Sequence, residues 1–372
     1  MPVPMIDLCR DKAQLAQVEA AVSAVVRSGQ YVLGPEVERL EAELCAYLGC
    51  AHALTMSSGT DALLCPLMAL GIGAGDAVLL PTYSFFATAG VVARTGARPV
   101  FVDVEDTWLT LDPQRLEDAL RQHRNVKAVM AVHLFGAPFR VDEIVAICAR
   151  AGVPLIEDAA QAIGTKYRGR MCGRDGLCAA WSTFPTKNLG GICDGGFFTT
   201  DDKKLADRCR LLRNHGQAEQ YKHHVVGGNF RMDAIQATAL RVKLQSIEKI
   251  TATRRQNAER YRRLFSEARL LDRLQLPTDV ADRHAYHQFV LRVPADRRDA
   301  LLAHLREQGI GSAVYYPLPF HLQPCFHDLG GKRGDCPVAE RAAASALALP
   351  IFQGLTEGEQ IEVVGAIGKF AR

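Results

Sequence analysis

Long apolar runs are missing from this 372-residue chain: the longest nearly apolar stretch, Ala62 to Ala74, is interrupted by Pro66, Gly71 and Gly73. A bilayer crossing needs about 20 apolar residues, so no membrane span is available. The N-terminus, Met1-Pro-Val-Pro-Met-Ile-Asp, has no basic segment followed by an apolar one. That excludes a readable secretory signal or Arg-rich transit peptide and predicts a cytoplasmic address. No Cys-x-x-Cys pair and no neighbouring His at metal-ligand spacing occurs among the 11 cysteines. An odd, scattered set disfavours both a disulfide framework and a zinc or other metal site, and reads as reduced thiols serving mostly as small core residues. Charge of one sign is scarce as well, since 44 basic against 41 acidic residues leave +3 with the signs interleaved, and nucleic-acid binding gains no support. Repeats and low-complexity tracts are lacking. Lysine itself is sparse, 11 of the 44 basic residues, so a lysine in an unusual setting stands out.

What remains is an ordinary globular composition, 48% hydrophobic and 23% charged, which excludes a disordered chain or a fibre. The length exceeds what one core usually organises and predicts a large domain plus a smaller one. Leu15, Val18, Val22 and Val25 fall at helical spacing, as do Val37, Leu40, Leu44 and Tyr47 behind Pro35 in a favoured first-turn position. Short apolar runs then alternate with helical stretches: Val78-Leu-Leu, Pro99-Val-Phe-Val, Ala128-Val-Met-Ala-Val, Val153-Pro-Leu-Ile, Ala179-Ala-Trp-Ser and Phe197-Phe-Thr-Thr. Several lack the alternation of a half-exposed strand, which predicts an α/β fold with a mostly parallel sheet covered on both faces. The pattern stops near residue 200. Asp233 to Phe265, free of Gly and Pro, predicts one long helix linking residues 1–232 to a small α+β domain over 233–372. Within that domain a strand is expected at Gln288–Val293, a helix at Arg298–Gln308 and a last helix from about Glu357.

Four segments carry chemistry. In Trp181-Ser-Thr-Phe-Pro-Thr-Lys-Asn-Leu-Gly-Gly-Ile-Cys-Asp-Gly-Gly, Lys187 stands in a turn between a strand and a glycine-rich run. Confinement there disfavours its ammonium form and frees the amine as a nucleophile, whereas the bland reading is a surface lysine in a flexible loop. Leu155-Ile-Glu-Asp-Ala-Ala-Gln-Ala delivers Asp158 to a strand's C-terminal end, where α/β sheets bind ligands. Asp158 is open to four readings: metal ligand, ribose-binding group, helix cap, or partner of a protonated ring nitrogen. Gln161 on the same side favours a flat polar ligand over a metal. Thr55-Met-Ser-Ser-Gly-Thr-Asp places Ser58, Gly59 and Thr60 where a strand turns into a helix, either an anion cradle or a normal N-cap. Pro81-Thr-Tyr-Ser-Phe-Phe-Ala-Thr-Ala offers aromatic faces near the same edge, or simply core. Amine, carboxylate, cradle and aromatic plate are together the four things pyridoxal 5'-phosphate requires.

The chain resembles the DegT/DnrJ/EryC1/StrS sugar aminotransferases over nearly its whole length. The matching stretches are Gly29-Gln-Tyr-Val-Leu-Gly-Pro, Ser57-Ser-Gly-Thr-Asp-Ala-Leu, Gly96-Ala-Arg-Pro-Val-Phe-Val-Asp-Val, Val132-His-Leu-Phe-Gly, Ile156-Glu-Asp-Ala-Ala-Gln-Ala, Pro185-Thr-Lys-Asn-Leu-Gly, Gly228-Asn-Phe-Arg-Met-Asp and Tyr315-Tyr-Pro-Leu-Pro-Phe-His-Leu-Gln-Pro. The resemblance implies the aspartate-aminotransferase fold type with a seven-stranded sheet. It implies Lys187 as the Schiff-base lysine, Asp158 on the pyridine nitrogen and Gln161 near the phenolic oxygen. It further implies Phe85 as the stacking aromatic and Ser58, Gly59, Thr60 and Ser182 around the phosphate. Family members are dimers in which an Asn of the neighbouring subunit reaches that phosphate, and Asn229 holds the matching position. Thr183 stands where the family usually has an aromatic, and Cys193 where it usually has Gly.

The expected reaction is transfer of an amino group from an amino acid, by family analogy glutamate, to a nucleotide-linked keto-sugar, with pyridoxamine 5'-phosphate as the intermediate form. The loop at Tyr315 resembles that of the branch acting on 3-keto sugars. It implies a dTDP-linked 3-keto-6-deoxyhexose, or a related UDP sugar, with Tyr315 and His321 over the hexose. A 4-keto substrate is the alternative. A sugar dehydratase of this family carries His in place of the lysine, and Lys187 argues against it. A regulator needs a DNA-binding module, for which the sequence leaves no room.

Overall fold

The computed structural model describes residues 2–278 and 282–371. Two helices open the chain, α1 (Lys12–Ser28), capped by the Asp11 carboxylate on the Gln14 N–H, and α2 (Pro35–Leu48), with proline in its first turn. Strands and helices then alternate: β1 (His52–Met56), α3 (Gly59–Ala69), β2 (Ala77–Pro81), α4 (Ala87–Arg94), β3 (Arg98–Val102), α5 (Pro113–Gln122), β4 (Val126–Val132), α6 (Val141–Ala151) and β5 (Leu155–Asp158). A small hairpin, β6 (Lys166–Tyr167) and β7 (Arg170–Met171), precedes β8 (Cys178–Ser182), β9 (Gly196–Thr200) and α7 (Lys203–Arg213). A second hairpin, β10 (Gln217–Glu219) and β11 (Lys222–His223), leads to α8 (Ala234–Leu244) and α9 (Ile247–Glu267). The C-terminal part comprises β12 (Phe289–Arg292), α10 (Ala295–Glu307), α11 (Pro337–Ser345), β13 (Ala346–Leu349) and α12 (Glu357–Ala371).

The main sheet has seven strands in the order β1-β9-β8-β5-β4-β2-β3, with β9 antiparallel to both of its neighbours and the remaining pairs parallel. The runs read as apolar on both faces are buried on both. Leu80, Met130, Ile156, Ala180 and Phe198 pack under α3, α4 and α7, while Leu79, Val129 and Ala131 pack under α5 and α6. Ala179, Trp181 and Phe197 meet α2 and α8. Seven of the 11 cysteines are buried and all are free, as expected of small core residues. Among the described residues no helix is long and apolar enough to cross a membrane, and no group of His, Cys, Asp and Glu is placed to hold a metal ion.

The single helix expected over Asp233–Phe265 is two. It breaks at Gln245–Ser246, where the Ser246 N–H turns back to the Lys243 carbonyl in a three-residue step. Packing explains the break, because α8 buries Ala237, Leu240 and Leu244 against α2 and the sheet, whereas α9 buries Ala258, Tyr261 and Phe265 in a separate C-terminal core. One straight rod cannot serve both. That second core closes on β12 paired antiparallel with β13, a strand whose Ala-Leu-Ala-Leu sequence carries no strand signature. Val3 crosses from the other end of the chain into the same core and bridges to Ile310.

Candidate active site

Parallel strands end together, so β2, β4, β5 and β8 bring Thr82, His133, Asp158 and Ser182 to one edge of the sheet. Asp158 is buried there at 4% exposure. Its Oδ2 accepts the Thr88 hydroxyl at 2.8 Å, and its Oδ1 accepts the Ala160 N–H at 3.2 Å. Burial pushes the carboxyl above its usual value, opposed by those two hydrogen bonds and by the Lys187 charge. Such a carboxylate calls for a cationic partner. Beneath it lies a second buried acid, Glu157, whose Oε2 meets His133 Nε2 at 2.7 Å and whose oxygens also take three backbone N–H groups. Burial pushes Glu157 up, but these partners prevail and hold it below its ordinary value.

Lys187 emerges from the turn after β8. Backbone bonds from Thr183 N–H to the Gly195 carbonyl, Lys187 N–H to Phe184 and Gly191 N–H to Thr183 fix that turn at 2.8 to 2.9 Å. The side chain is half-buried, and among the described residues its amine donates no hydrogen bond. Desolvation lowers its pKa to about 8, against the pull of Asp158. The confined amine read from the sequence is therefore present, within electrostatic reach of the strand-end carboxylate.

The cradle segment is shaped by close approach. A Cβ at Gly59 would lie 2.7 Å from Ser182 Cβ, and one at Gly196 would lie 2.6 Å from the Gly59 nitrogen. Only glycine lets the N-terminus of α3 press onto the ends of β8 and β9, where the first-turn N–H groups of Gly59 and Thr60 stand outside the helical ladder. Ser58 serves as N-cap, accepting the Asp61 N–H at 3.0 Å, and its hydroxyl meets the Asp61 carboxylate at 3.0 Å. Ser182 Oγ accepts the Phe184 N–H at 3.3 Å. Among the aromatics of the fourth segment, Tyr83 is core at 2% exposure while Phe85 is 58% exposed.

Gln161 Oε1 takes the Phe135 N–H at 2.7 Å and its Nε2 donates to the Tyr316 hydroxyl at 2.7 Å, so the amide is oriented by the C-terminal part of the chain. Tyr316 in turn stacks on Phe135, with centroids 5.7 Å apart. Tyr315 is partly open. His321 is not: it is buried, with Nδ1 2.8 Å from Thr82 Oγ1 and Nε2 3.1 Å from Glu340, which leaves no ring nitrogen for a ligand. Asn229 lies away from Asp158 in sequence order, exposed on the segment bridged to Asn214. Thr183 is buried with its hydroxyl unpartnered among the described residues, and Cys193 is exposed, its sulfur 3.6 Å from Gln236 Oε1.

Sequence reasoning did not single out Thr88, Tyr316, His287 or Arg254. Thr88 and Tyr316 sit inside segments already marked, but their partners are 70 and 155 residues away. His287 and Arg254 carry no local signal.

An amine unpaired among the described residues, a buried carboxylate, glycine-only contacts at a helix N-terminus and the exposed Phe85 ring fit pyridoxal phosphate. Fold and site define a class, the aminotransferases of the aspartate-aminotransferase fold type. Residues 13–368 match the DegT/DnrJ/EryC1/StrS aminotransferase family, and the chain belongs to it. Over 374 residues it is 45% identical to the pleiotropic regulatory protein of Geobacillus stearothermophilus, covering 100% of this chain and 99% of that one. Over 371 residues it is 38% identical to a dTDP-3-amino-3,4,6-trideoxy-alpha-D-glucose transaminase of Streptomyces venezuelae, covering 99% and 96%. The crystal structure of S. venezuelae DesV in complex with a ketimine intermediate superposes with a TM-score of 0.95 at 38% identity, covering 100% and 99% of the two chains.

Proposed function

We propose that this aminotransferase carries an amino group from an amino acid, glutamate by family analogy, to C3 of a nucleotide-linked 3-keto-6-deoxyhexose, dTDP being the expected nucleotide. Pyridoxal phosphate supplies, when bound, an electron sink and a carrier for the nitrogen. The chain's own groups do the rest. Lys187 would hold the cofactor through its amine, water leaving as the two condense, and once released would move the proton at the reacting carbon. Asp158, fixed by Thr88, keeps a ring nitrogen protonated. Gly59 and Thr60, with Ser58 and Ser182, would take the phosphate at a helix N-terminus, Phe85 would cover a ring face and Gln161 would lie near the phenolic oxygen.

The observation that carries this reading is the half-buried, unpaired Lys187 amine set against the buried Asp158 carboxylate. Lys187→Ala is expected to fold, because the residue lies in a turn outside the core, and to lose both the visible absorbance and transamination. An unchanged visible spectrum after borohydride treatment of the wild type would overturn the assignment.

The 3-keto preference rests on the Tyr315 loop and on the name of the Streptomyces relative. Tyr315, partly exposed, meets the sugar in this reading, while His321 acts by tying the loop to Thr82 and Glu340. A panel of 3-keto and 4-keto nucleotide sugars tests it, and amination of the 4-keto isomer alone would refute it. The active form is a homodimer in which Asn229 completes the partner's phosphate site. Exposed apolar side chains, Tyr31 and Val32 beside the start of α8 and Phe184 and Ile192 in the Lys187 turn, support such a contact. We place its work in the cytoplasm.

The name of the Geobacillus relative favours a second reading, a regulatory part. Glutamate separates the two, since a catalyst converts its bound cofactor to the amine form and releases a 2-oxo acid, whereas a sensor without turnover does not.

A further inference from the structure

The turn that carries Lys187 is a loop with a closed neck. Thr183 N–H donates to the Gly195 carbonyl at 2.9 Å and Gly191 N–H to the Thr183 carbonyl at 2.8 Å, so the two ends meet while the chain between them bulges outward. An irregular segment of this kind leaves backbone groups that no ladder satisfies, and something else must pair with them.

Helix α8 supplies the partner. Gln236, in its first turn, is completely buried. Its Oε1 accepts the Ile192 and Cys193 N–H groups at 2.9 and 3.3 Å, and its Nε2 donates to the Cys193 carbonyl at 2.7 Å. One side-chain amide thus does for the loop what a neighbouring strand does in a sheet. The fit is equally close from the loop side, because a Cβ at Gly191 would overlap the Gln236 amide and one at Gly195 would lie 3.0 Å from Nε2. Glycine serves here for close approach. Two turns further along α8, Lys243 Nζ donates to the carbonyls of Gly190 and Gly191 at 2.7 and 3.3 Å. Positions seven residues apart return to the same side of a helix, so one face of α8 grips the loop from Gly190 to Cys193.

The base of this clamp is itself held. Asp233 caps α8 by accepting the Gln236 N–H at 2.7 Å, the Ala234 N–H donates to the Tyr31 carbonyl at 2.8 Å, and Ala237, Leu240 and Leu244 are packed in the core shared with α2. On the other side of the loop Asn188 Nδ2 donates to the Ala285 carbonyl at 2.9 Å. Lys187 therefore stands between Phe184, whose carbonyl takes its N–H at 2.8 Å, and a segment anchored at both Asn188 and α8.

We propose that Gln236, assisted by Lys243, is the positioning residue of Lys187, holding the loop where the amine is stripped of water and acting through the backbone of residues 190–193. The inference rests on the reading of Lys187 as the reactive amine. Desolvation is what lowers the Lys187 pKa to about 8, so a loop released from α8 admits water and lets the ammonium form recover toward its ordinary value. The charged and titratable groups facing this region are Asp158 at the end of β5, His287 before β12, Arg254 on α9, Lys243 on α8, and Asp7 and Asp11 near the N-terminus. Replacing Gln236 by a neutral residue alters none of them, which leaves hydration as the variable.

The test reads the amine directly, by trace acetylation of the apoprotein with acetic anhydride over a pH series and peptide mass spectrometry at Lys187, without cofactor or sugar. The wild-type midpoint is expected near about 8. Gln236→Met, of similar length but without the amide, is expected to move it upward by about one pH unit, a tenfold loss of free amine at neutral pH. Gly191→Ala displaces the same amide from the loop side and is expected to act in the same direction. The pair Gln236→Ala and Gly191→Ala is expected to shift the midpoint by less than the sum of the single changes, because the overlap is gone. Thermal unfolding of the same samples separates the roles: a destabilised Gln236→Met protein with the wild-type midpoint means that Gln236 only supports the fold, and overturns the proposal. If Gln236→Met does not fold, an unshifted midpoint in Gly191→Ala overturns it equally. A shifted midpoint in a protein that captures no pyridoxal phosphate would refute the reading of Lys187 as the cofactor's lysine and leave the clamp standing.

Discussion

At Lys187 two opposing effects meet, since desolvation removes the ammonium's hydration and the Asp158 carboxylate restores part of its stability. The lowered value sets a pH dependence with a definite sign. Below about 8 the amine is mostly protonated and unreactive, so the rate at which apoprotein captures pyridoxal phosphate rises with pH to about 8 and levels above it. Asp158→Asn removes the attraction that raises the Lys187 pKa, which moves the midpoint of that profile to lower pH while transamination falls. Stopped-flow absorbance on both proteins measures the midpoints, and a shift upward would mean that Asp158 does not act on the amine. The same lysine costs stability wherever it must be charged. That cost is present in full below about 8 and is relieved as pH rises toward the ordinary lysine value of 10.5.

Among the elements, the contact of α3 with the ends of β8 and β9 is sharply constrained. Gly59→Ala places a methyl group 2.7 Å from Ser182 Cβ, a distance that neither backbone can keep. Overpacking of this kind costs about 1–3 kcal/mol, and the helix N-terminus must withdraw from the strand ends. Thermal unfolding is expected to drop, and cofactor affinity with it, because the displaced N–H groups lose their common focus. Retained affinity in a destabilised Gly59→Ala protein would detach the cradle from phosphate binding. At the start of α8, Asp233 accepts the Gln236 N–H at 2.7 Å, and Asp233→Ala is expected to lower stability by about 1 kcal/mol in a urea titration without altering the site.

For the whole molecule, the decisive question is whether one protomer suffices. Asn229 is exposed, on a segment whose next residue, Phe230, accepts the Ser57 N–H at 2.8 Å, and the composite site is tested in solution. Sedimentation is expected to give a dimer, and Asn229→Ala to weaken cofactor binding without dissociating it. An active monomer contradicts the composite site. Closure of the C-terminal part over the sheet edge also depends on long-range bonds, Gln161 to Tyr316 at 2.7 Å and His321 to Thr82 at 2.8 Å. Thr82→Val deletes the second and is expected to raise the KM for sugar more than that for the amino acid, since it loosens the Tyr315 loop.

Periodicity and punctuation are local properties, and what they encode was legible in the sequence. Apolar runs marked β2, β3, β4, β5, β8 and β9, Pro185 and the glycines marked the Lys187 turn, and the strand ending in Asp158 marked the ligand edge. The chain by itself thus determined six of the seven strands of the main sheet and the placing of Lys187 and Asp158 at strand ends. Tertiary structure alone decided the rest. The break between α8 and α9 follows from two cores lying in different directions, and β13 is a strand because β12 offers its edge to an alanine-rich segment. Gln236 gains meaning only when folding sets its amide against the backbone of Ile192 and Cys193. A residue's propensity is set by its neighbours in the chain, whereas its partners, its burial and its charge state are set by segments that only folding brings together.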